Sequence, residues 1–168
     1  MEHIDEVDFV GDVVAVRSKD SWRKEFFNHK ASLIIPRTFD DKFLIAMRSA
    51  TKHPFPGVWV CGVGGTCASG ETFLDAAKRE MQEEIGVVAA LEVVNTFSYD
   101  DGNMRATFRV FTTKKPLDVA DLTLDETEIQ YMQAFTLSEI KELITEKPES
   151  CAPTAVAAFT HFLLGLKD

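Results

Sequence analysis

The sequence predicts a single α+β domain. Three observations carry this. β-rich runs lie on both sides of one strongly periodic helix, two amphipathic helices close the chain, and 168 residues at 45% hydrophobic content supply one core and too little for two.

Residues 7–17 alternate around Gly11 and read as two short strands joined by a turn. Residues 21–29 read as a short helix, with Ser21 as N-cap and apolar side chains at Trp22, Phe26 and Phe27. The runs 31–37 and 42–48 are rich in strand formers and flank the polar segment TFDD, which predicts a hairpin. Residues 51–65 hold two prolines and four glycines, so they read as loop with at most a short strand over 58–60.

Residues 72–85 form the clearest helix. Thr72 can cap it with Asp75 three positions on, Leu74, Ala77, Met81 and Ile85 recur at the spacing of one buried stripe, and Gly86 ends it. Residues 87–100 and 105–113 read as a hairpin around DDGN, with Phe97, Tyr99, Phe108 and Phe111 as core. An acidic connection over 117–128 leads to a short strand over 129–135. Two helices follow, one over 137–144 capped by Thr136 and one over 153–166.

Net charge excludes some partners. With 27 acidic and 18 basic residues the chain carries −9, which repels an extended nucleic acid. A small phosphorylated substrate remains compatible, because a metal ion and a few arginines reverse the potential locally. Cys61, Cys67 and Cys151 are an odd number without disulfide-scaffold density or zinc-site spacing, so they read as small buried residues. The acidic start has no basic leader and no run approaches a membrane span, so the chain is expected in the cytoplasm and off the membrane.

The chemistry concentrates on the helix over 72–85. Glu80, Glu83 and Glu84 sit three and four positions apart, so their carboxylates project from neighbouring points beside the apolar stripe. Like charges so placed cost a few tenths of a kcal/mol per pair, roughly, on a bare helix. A divalent cation turns that penalty into a site. Oxygen ligands on a rigid element suit Mg²⁺ or Mn²⁺, and a spare carboxylate can take a proton from water. Arg79, four before Glu83, can also reach Glu71 and orient the carboxylates. The glycines at 62, 64 and 65 let the backbone approach a ligand and offer a carbonyl to a metal. No Gly-Lys-Ser/Thr follows them, so this is not a nucleotide-binding P-loop.

Gly65, Glu71, Arg79, Glu80, Glu83, Glu84 and Gly86, with aliphatic Met81 and Val87, match every fixed position of the Nudix box, G-x5-E-x7-R-E-U-x-E-E-x-G-U. The chain therefore resembles the Nudix hydrolases. The resemblance implies an α/β/α sandwich with a mixed central sheet, and cleavage of a small diphosphate-containing substrate, a nucleoside diphosphate linked to another moiety, with Mg²⁺ or Mn²⁺. It implies Glu83 and Glu84 as metal ligands, Glu80 as a further ligand or base, and a carbonyl near Gly64 or Gly65 completing the set. Arg79 and Glu71 are the implied orienting pair. A catalytic acid from a later loop would be Asp125, Glu126 or Glu128, and Glu128 is the nominee. Arg48 and Lys52 are candidates for substrate phosphates, together with the backbone at Gly64 and Gly65. Paired subunits are common in the fold, so the resemblance is compatible with a homodimer and leaves the oligomeric state open.

The flanks resemble one subgroup, the enzymes similar to isopentenyl-diphosphate isomerase, through the stretch 29–35, Arg48 to Lys52, and Pro56-Gly57-Val58-Trp59. Isomerases keep a catalytic cysteine where Gly64 stands and a metal-binding histidine where Thr66 stands, and they lack the full set of box glutamates. These departures favour hydrolysis over isomerisation, and the intact box also disfavours a purely nucleotide-binding regulator. His29 reads as structural, with a contact to the site as the alternative. Trp59 and Phe55 read as packing residues that can also stack on a base. His3, His53 and His161 have no visible partner.

Overall fold

The computed structural model describes residues 1–166. Strands β1 (His3–Val7) and β2 (Val13–Ser18) form an antiparallel pair. The first strand thus ends where it was expected to begin. The Asp8 carboxylate accepts from the Val10 and Asp12 amides at 3.0 and 2.9 Å and claims residues 8–12 for the turn. The helix expected over 21–29 shrinks to the single turn α1 (Trp22–Glu25), and Phe26 ends it at φ 50°. Ser21 does not cap it, because its hydroxyl donates back to the Ser18 carbonyl. From Asn28 the chain is strand β3 (Asn28–Ile34), drawn into parallel pairing with β8 (Arg105–Thr113) over Asn28↔Arg105 to Ile34↔Phe111. Local periodicity cannot register a partner 77 positions away.

The expected hairpin over 31–48 does not exist either. The turn forms, with the Thr38 amide donating to the Lys42 carbonyl at 2.8 Å, but only the bridge Arg37↔Phe43 extends it. β4 (Phe43–Arg48) then joins a separate three-stranded sheet between β5 (Trp59–Cys61) and β9 (Ile129–Phe135). Residues 51–58 are loop and the short strand expected over 58–60 appears as β5, but the glycines beyond it are not loop: β5 leads through Gly62 into β6 (Val63–Thr66), which pairs antiparallel with β3. Gly62 marks the crossing between sheets. A β-carbon there would stand 2.7 Å from Pro36 Cδ, 2.8 Å from the Leu44 carbonyl and 2.9 Å from the Ile34 carbonyl.

Helix α2 (Phe73–Ile85) has the expected N-cap, Thr72 accepting from the Asp75 amide, and Gly86 closes it at φ 71°. Its buried face is Ala76, Ala77, Met81 and Ile85; Leu74 is 38% exposed, and Phe73 takes the inward place. β7 (Leu91–Asp100) and β8 form the expected hairpin, and α3 (Leu137–Glu146) has a full capping box between Thr136 and Glu139. Helix α4 (Pro153–Gly165) buries Phe159 and Phe162.

The larger sheet is mixed, ordered β2-β1-β3-β8-β7 with β6 also on β3. Alternate residues of both sheets face opposite ways. Ile34, Leu44 and Phe111 pack under α2 with Met81 and Ile85; Ile35, Phe43, Ile45 and Phe108 pack under α3 and α4. The result is the α/β/α layering expected, with α2 holding its acidic flank above β6.

Candidate functional site

Burial of Ala77, Met81 and Ile85 fixes the rotation of α2 and turns Glu80 and Glu84 toward β6, leaving Glu83 on the rim with its side chain 56% exposed. The Glu80 side chain is 12% exposed and rests against Gly65, where a β-carbon would collide with its carboxylate. A side chain at this position would have to displace the Glu80 carboxylate, so glycine here keeps that carboxylate in place. Gly64 is equally constrained, since a β-carbon there would lie 2.7 Å from both Leu33 Cδ2 and the Ser32 carbonyl.

Arg79 organises the acids. Its Nε and Nη2 donate to the two oxygens of Glu71 at 2.7 and 2.9 Å, its Nη1 to Glu80 at 2.7 Å and Glu83 at 3.3 Å, and Nη2 also to the Thr66 carbonyl. Glu71 is held from the other side by the Ala68 amide at 2.7 Å. The Arg79 guanidinium keeps the Glu71 carboxyl below the usual carboxylate range.

The inner acids behave oppositely. Burial pushes the Glu80 carboxyl up against the pull of Arg79. Burial, reinforced by Glu80 and Glu128, pushes Glu84 up to about 9. Of the three converging carboxylates, Glu80 is paired with Arg79 and Glu128 with Lys52, while Glu84 forms no ion pair among the described residues. Such a set holds a proton or accepts a cation.

The acidic connection closes the site from the far side. Its Thr123 and Asp125 amides donate to the Ile85 and Glu84 carbonyls at 3.0 and 2.9 Å, which satisfies the end of α2 and brings Glu128 beside Glu84. The Lys52 ammonium is bonded to Glu128, and the Ser49 amide donates to the Glu128 carbonyl. Arg48 Nε donates to the Pro54 carbonyl at 3.1 Å.

An open cleft of about 770 Å³ gathers Arg48, Lys52, Gly64, Gly65, Glu71, Arg79, Glu80, Glu83, Glu84, Asp125 and Glu128. Of the acids nominated from sequence, only Glu126 lies outside it. Glu2, Lys19, Trp22 and His53 also line it, and no local sequence signal points to them. The first three arrive from the N-terminal segment, where Lys19 pairs with Glu2 at 3.0 Å. A smaller cavity of about 150 Å³ shares Arg48, Gly64, Glu84 and Glu128 with the cleft and continues between the sheets against Val60 and Ala155.

The donor set suits a hard cation, being carboxylate and backbone oxygen. Among the described residues no group of acids, histidines or cysteines is already arranged as a coordination shell, since Glu80 and Glu83 are turned to Arg79. Residues that can hold Mg²⁺ or Mn²⁺ are Glu80 and Glu84, which face inward, with Glu83 and the backbone at Gly65 at the edge.

Other nominated residues lie elsewhere. His29 is fully buried with ring centroids 5.3 Å from Trp22 and 6.3 Å from Phe27, and burial pushes its imidazole pKa down. It does not line the cleft. Trp59 packs edge-on against Tyr131 and Phe135, whereas Phe55 is 48% exposed. All three cysteines are buried free thiols, and burial pushes Cys67 up to about 11.

The sequence profile of the family described as NUDIX domain matches residues 27–154. The uncharacterized Nudix hydrolase YfcD of Escherichia coli K12 is 27% identical over 140 residues, 83% of this chain and 76% of that protein. An isopentenyl-diphosphate Delta-isomerase of Brevibacterium linens is 28% identical over 169 residues, 96% of this chain and 91% of the enzyme. A crystal structure of a Deinococcus radiodurans protein superposes with a TM-score of 0.77 at 19% identity, covering 95% of this chain and 98% of that one.

Proposed function

This chain belongs to the NUDIX domain family of hydrolases, and from that premise we propose that it is a Mg²⁺- or Mn²⁺-dependent pyrophosphohydrolase of a small diphosphate-linked substrate. The convergence of Glu80, Glu84 and Glu128 beneath the Arg79–Glu71 clamp carries the reading. When bound, the metal supplies charge neutralisation on the diphosphate and acidifies a water.

The residues divide the remaining work. Glu80, Glu83, Glu84 and the Gly65 backbone would hold the cation. Arg79 orients Glu80 and Glu83 through its forked bond to Glu71. Glu128, on the opposite wall, would take a proton from the attacking water, with its carboxylate held by Lys52. Arg48, on the side where cleft and smaller cavity meet, faces the substrate's phosphates.

Geometry also bears on isomerisation. At Gly64, the place of the isomerase cysteine, the backbone against Leu33 and Ser32 leaves no room for a side chain. Cys61 lines the smaller cavity, but burial raises its thiol pKa well above the ordinary range. A nucleotide-binding regulator would have no use for the buried repulsion at Glu84.

The test is a panel of nucleoside diphosphate sugars, ADP-ribose, dinucleotides, coenzyme A derivatives and isoprenoid diphosphates, assayed with Mg²⁺ or Mn²⁺. Phosphate-bond cleavage and alkene isomerisation are scored separately. Hydrolysis that disappears in Glu83→Gln supports the reading; isomerised product without cleavage, or a rate indifferent to Glu83→Gln, overturns it. A small metabolite handled by a cytoplasmic homodimer belongs to the same proposal. Among the described residues no helix is long and apolar enough to cross a membrane.

A further inference from the structure

The larger sheet outruns the helix that covers it. Under α2, Ile34 and Phe111 are paired neighbours on β3 and β8 and are buried with Met81 and Ile85. Two positions back on each strand, on the same face, the pair is Ser32 and Arg109; two further back it is Lys30 and Thr107. β7 extends both rows, placing Thr96 opposite Arg109 and Ser98 opposite Thr107. The helix begins at the first of these rows. Ser32 Oγ donates to the Phe73 carbonyl at 2.6 Å, and the Arg109 guanidinium stands 4.4 Å from the Phe73 ring.

Beyond the start of the helix lies a concavity of about 270 Å³ that shares no lining residue with the carboxylate cleft. Thr96, Ser98 and Thr107 supply hydroxyls, Phe73 forms a wall, and the β1–β2 turn forms the lip. That turn is fixed by the Asp8 carboxylate, yet it holds Phe9 and Val10 out at 89% and 83% exposure.

Two cations enter it on a chain of net charge −9. Arg109 Nε donates to Thr96 Oγ1 at 3.0 Å, and Lys30 Nζ donates to the Glu71 carbonyl at 3.0 Å. Neither cation forms a salt bridge among the described residues. The acids that influence Lys30 are already engaged, Asp5 by Ser69 and Gly70, and Glu71 by Arg79 and Ala68. Cation–π contact alone would secure Phe73 at the helix start. It accounts for neither the hydroxyl rows nor the exposed apolar lip.

We propose that this concavity is a second binding site, for a small phosphomonoester bearing a flat apolar ring, of mononucleotide size. Lys30, Arg109 and the hydroxyls take the phosphate; Phe73, Phe9 and Val10 take the ring.

Titration of AMP into the full chain in EDTA, followed by calorimetry and by amide chemical shifts, tests it. Expected is saturable binding that shifts the amides of Thr96, Ser98, Thr107 and Arg109, weakened about tenfold by Arg109→Gln or Lys30→Gln. Adenosine and inorganic phosphate should each bind more weakly than AMP. Ser98 is exposed on β7, so Ser98→Leu fills the concavity without touching the core and serves if Arg109→Gln fails to fold. No saturable binding at millimolar AMP overturns the proposal. So does binding no tighter than that of inorganic phosphate, or binding that responds to Glu84→Gln and not to the sheet variants.

Discussion

The Glu80 carboxylate lies against the Gly65 backbone, with no room between them for a β-carbon. Gly65 sits in regular strand without a positive φ, so alanine meets a steric penalty from Glu80 and none from its own dihedrals. Gly65→Ala should displace Glu80 and lower kcat by about a hundredfold while the thermal midpoint changes little. Steady-state kinetics beside a melting curve check it. A large loss of stability with kcat intact would show that the contact serves folding instead.

Arg79 grips Glu71 through two parallel bonds while its third nitrogen reaches Glu80 and Glu83. A lysine offers a point charge and cannot maintain that fork. Arg79→Lys should lower kcat or metal affinity by about ten- to a hundredfold, measured by turnover across a Mg²⁺ titration.

Glu84 gives a pH dependence with a definite sign. Its folded-state pKa is raised to about 9 from an ordinary 4.5, so the folded chain holds a proton that the unfolded chain releases. Stability in EDTA is therefore full below the ordinary value and is lost as pH rises toward 9. Glu84→Gln should flatten that slope and stabilise the metal-free protein at pH above 8. Even one pKa unit of relief is worth about 1.4 kcal/mol. The same variant should lose Mg²⁺-dependent turnover. Urea denaturation at acidic and alkaline pH, with and without Mg²⁺, separates the two effects.

Lys52, a candidate for substrate phosphates by sequence, has its ammonium bonded to Glu128. If its work is to position Glu128, Lys52→Ala lowers kcat and leaves KM nearly unchanged. A raised KM at constant kcat would return Lys52 to the phosphates.

Gly62 is a folding position. Alanine there meets Pro36 and the carbonyls of Leu44 and Ile34, so Gly62→Ala should cost about 1–3 kcal/mol in urea denaturation.

Most of the α2 site was legible in the chain because its parts repeat at helical spacing or at fixed distance. Thr72, the stripe through Met81 and Ile85, Gly86, and the acids at 80, 83 and 84 all follow from a period of 3.6 residues. Glu71 is reached from Arg79 because both belong to one short segment. The hairpin assigned over 31–48 failed for the opposite reason. Its turn is locally correct, but β3 pairs with β8 and β4 with β9, and strand partners so distant leave no local mark. The glycines at 62, 64 and 65 misled similarly. They suggested loop, whereas they are the places where two sheets and a helix come too close for a side chain.

The sequence by itself determined the family of this protein: a helix with carboxylates at Glu80, Glu83 and Glu84, preceded by glycine and clamped by arginine. Those relations are short-range and written in residue spacing. Only the tertiary structure decided which acids face inward, which wall Glu128 and Lys52 occupy, and that the N-terminal residues Glu2, Lys19 and Trp22 border the cleft. Burial and long-range pairing set those outcomes, because the desolvation that raises Glu84 exists only after the sheets and the acidic connection close around it.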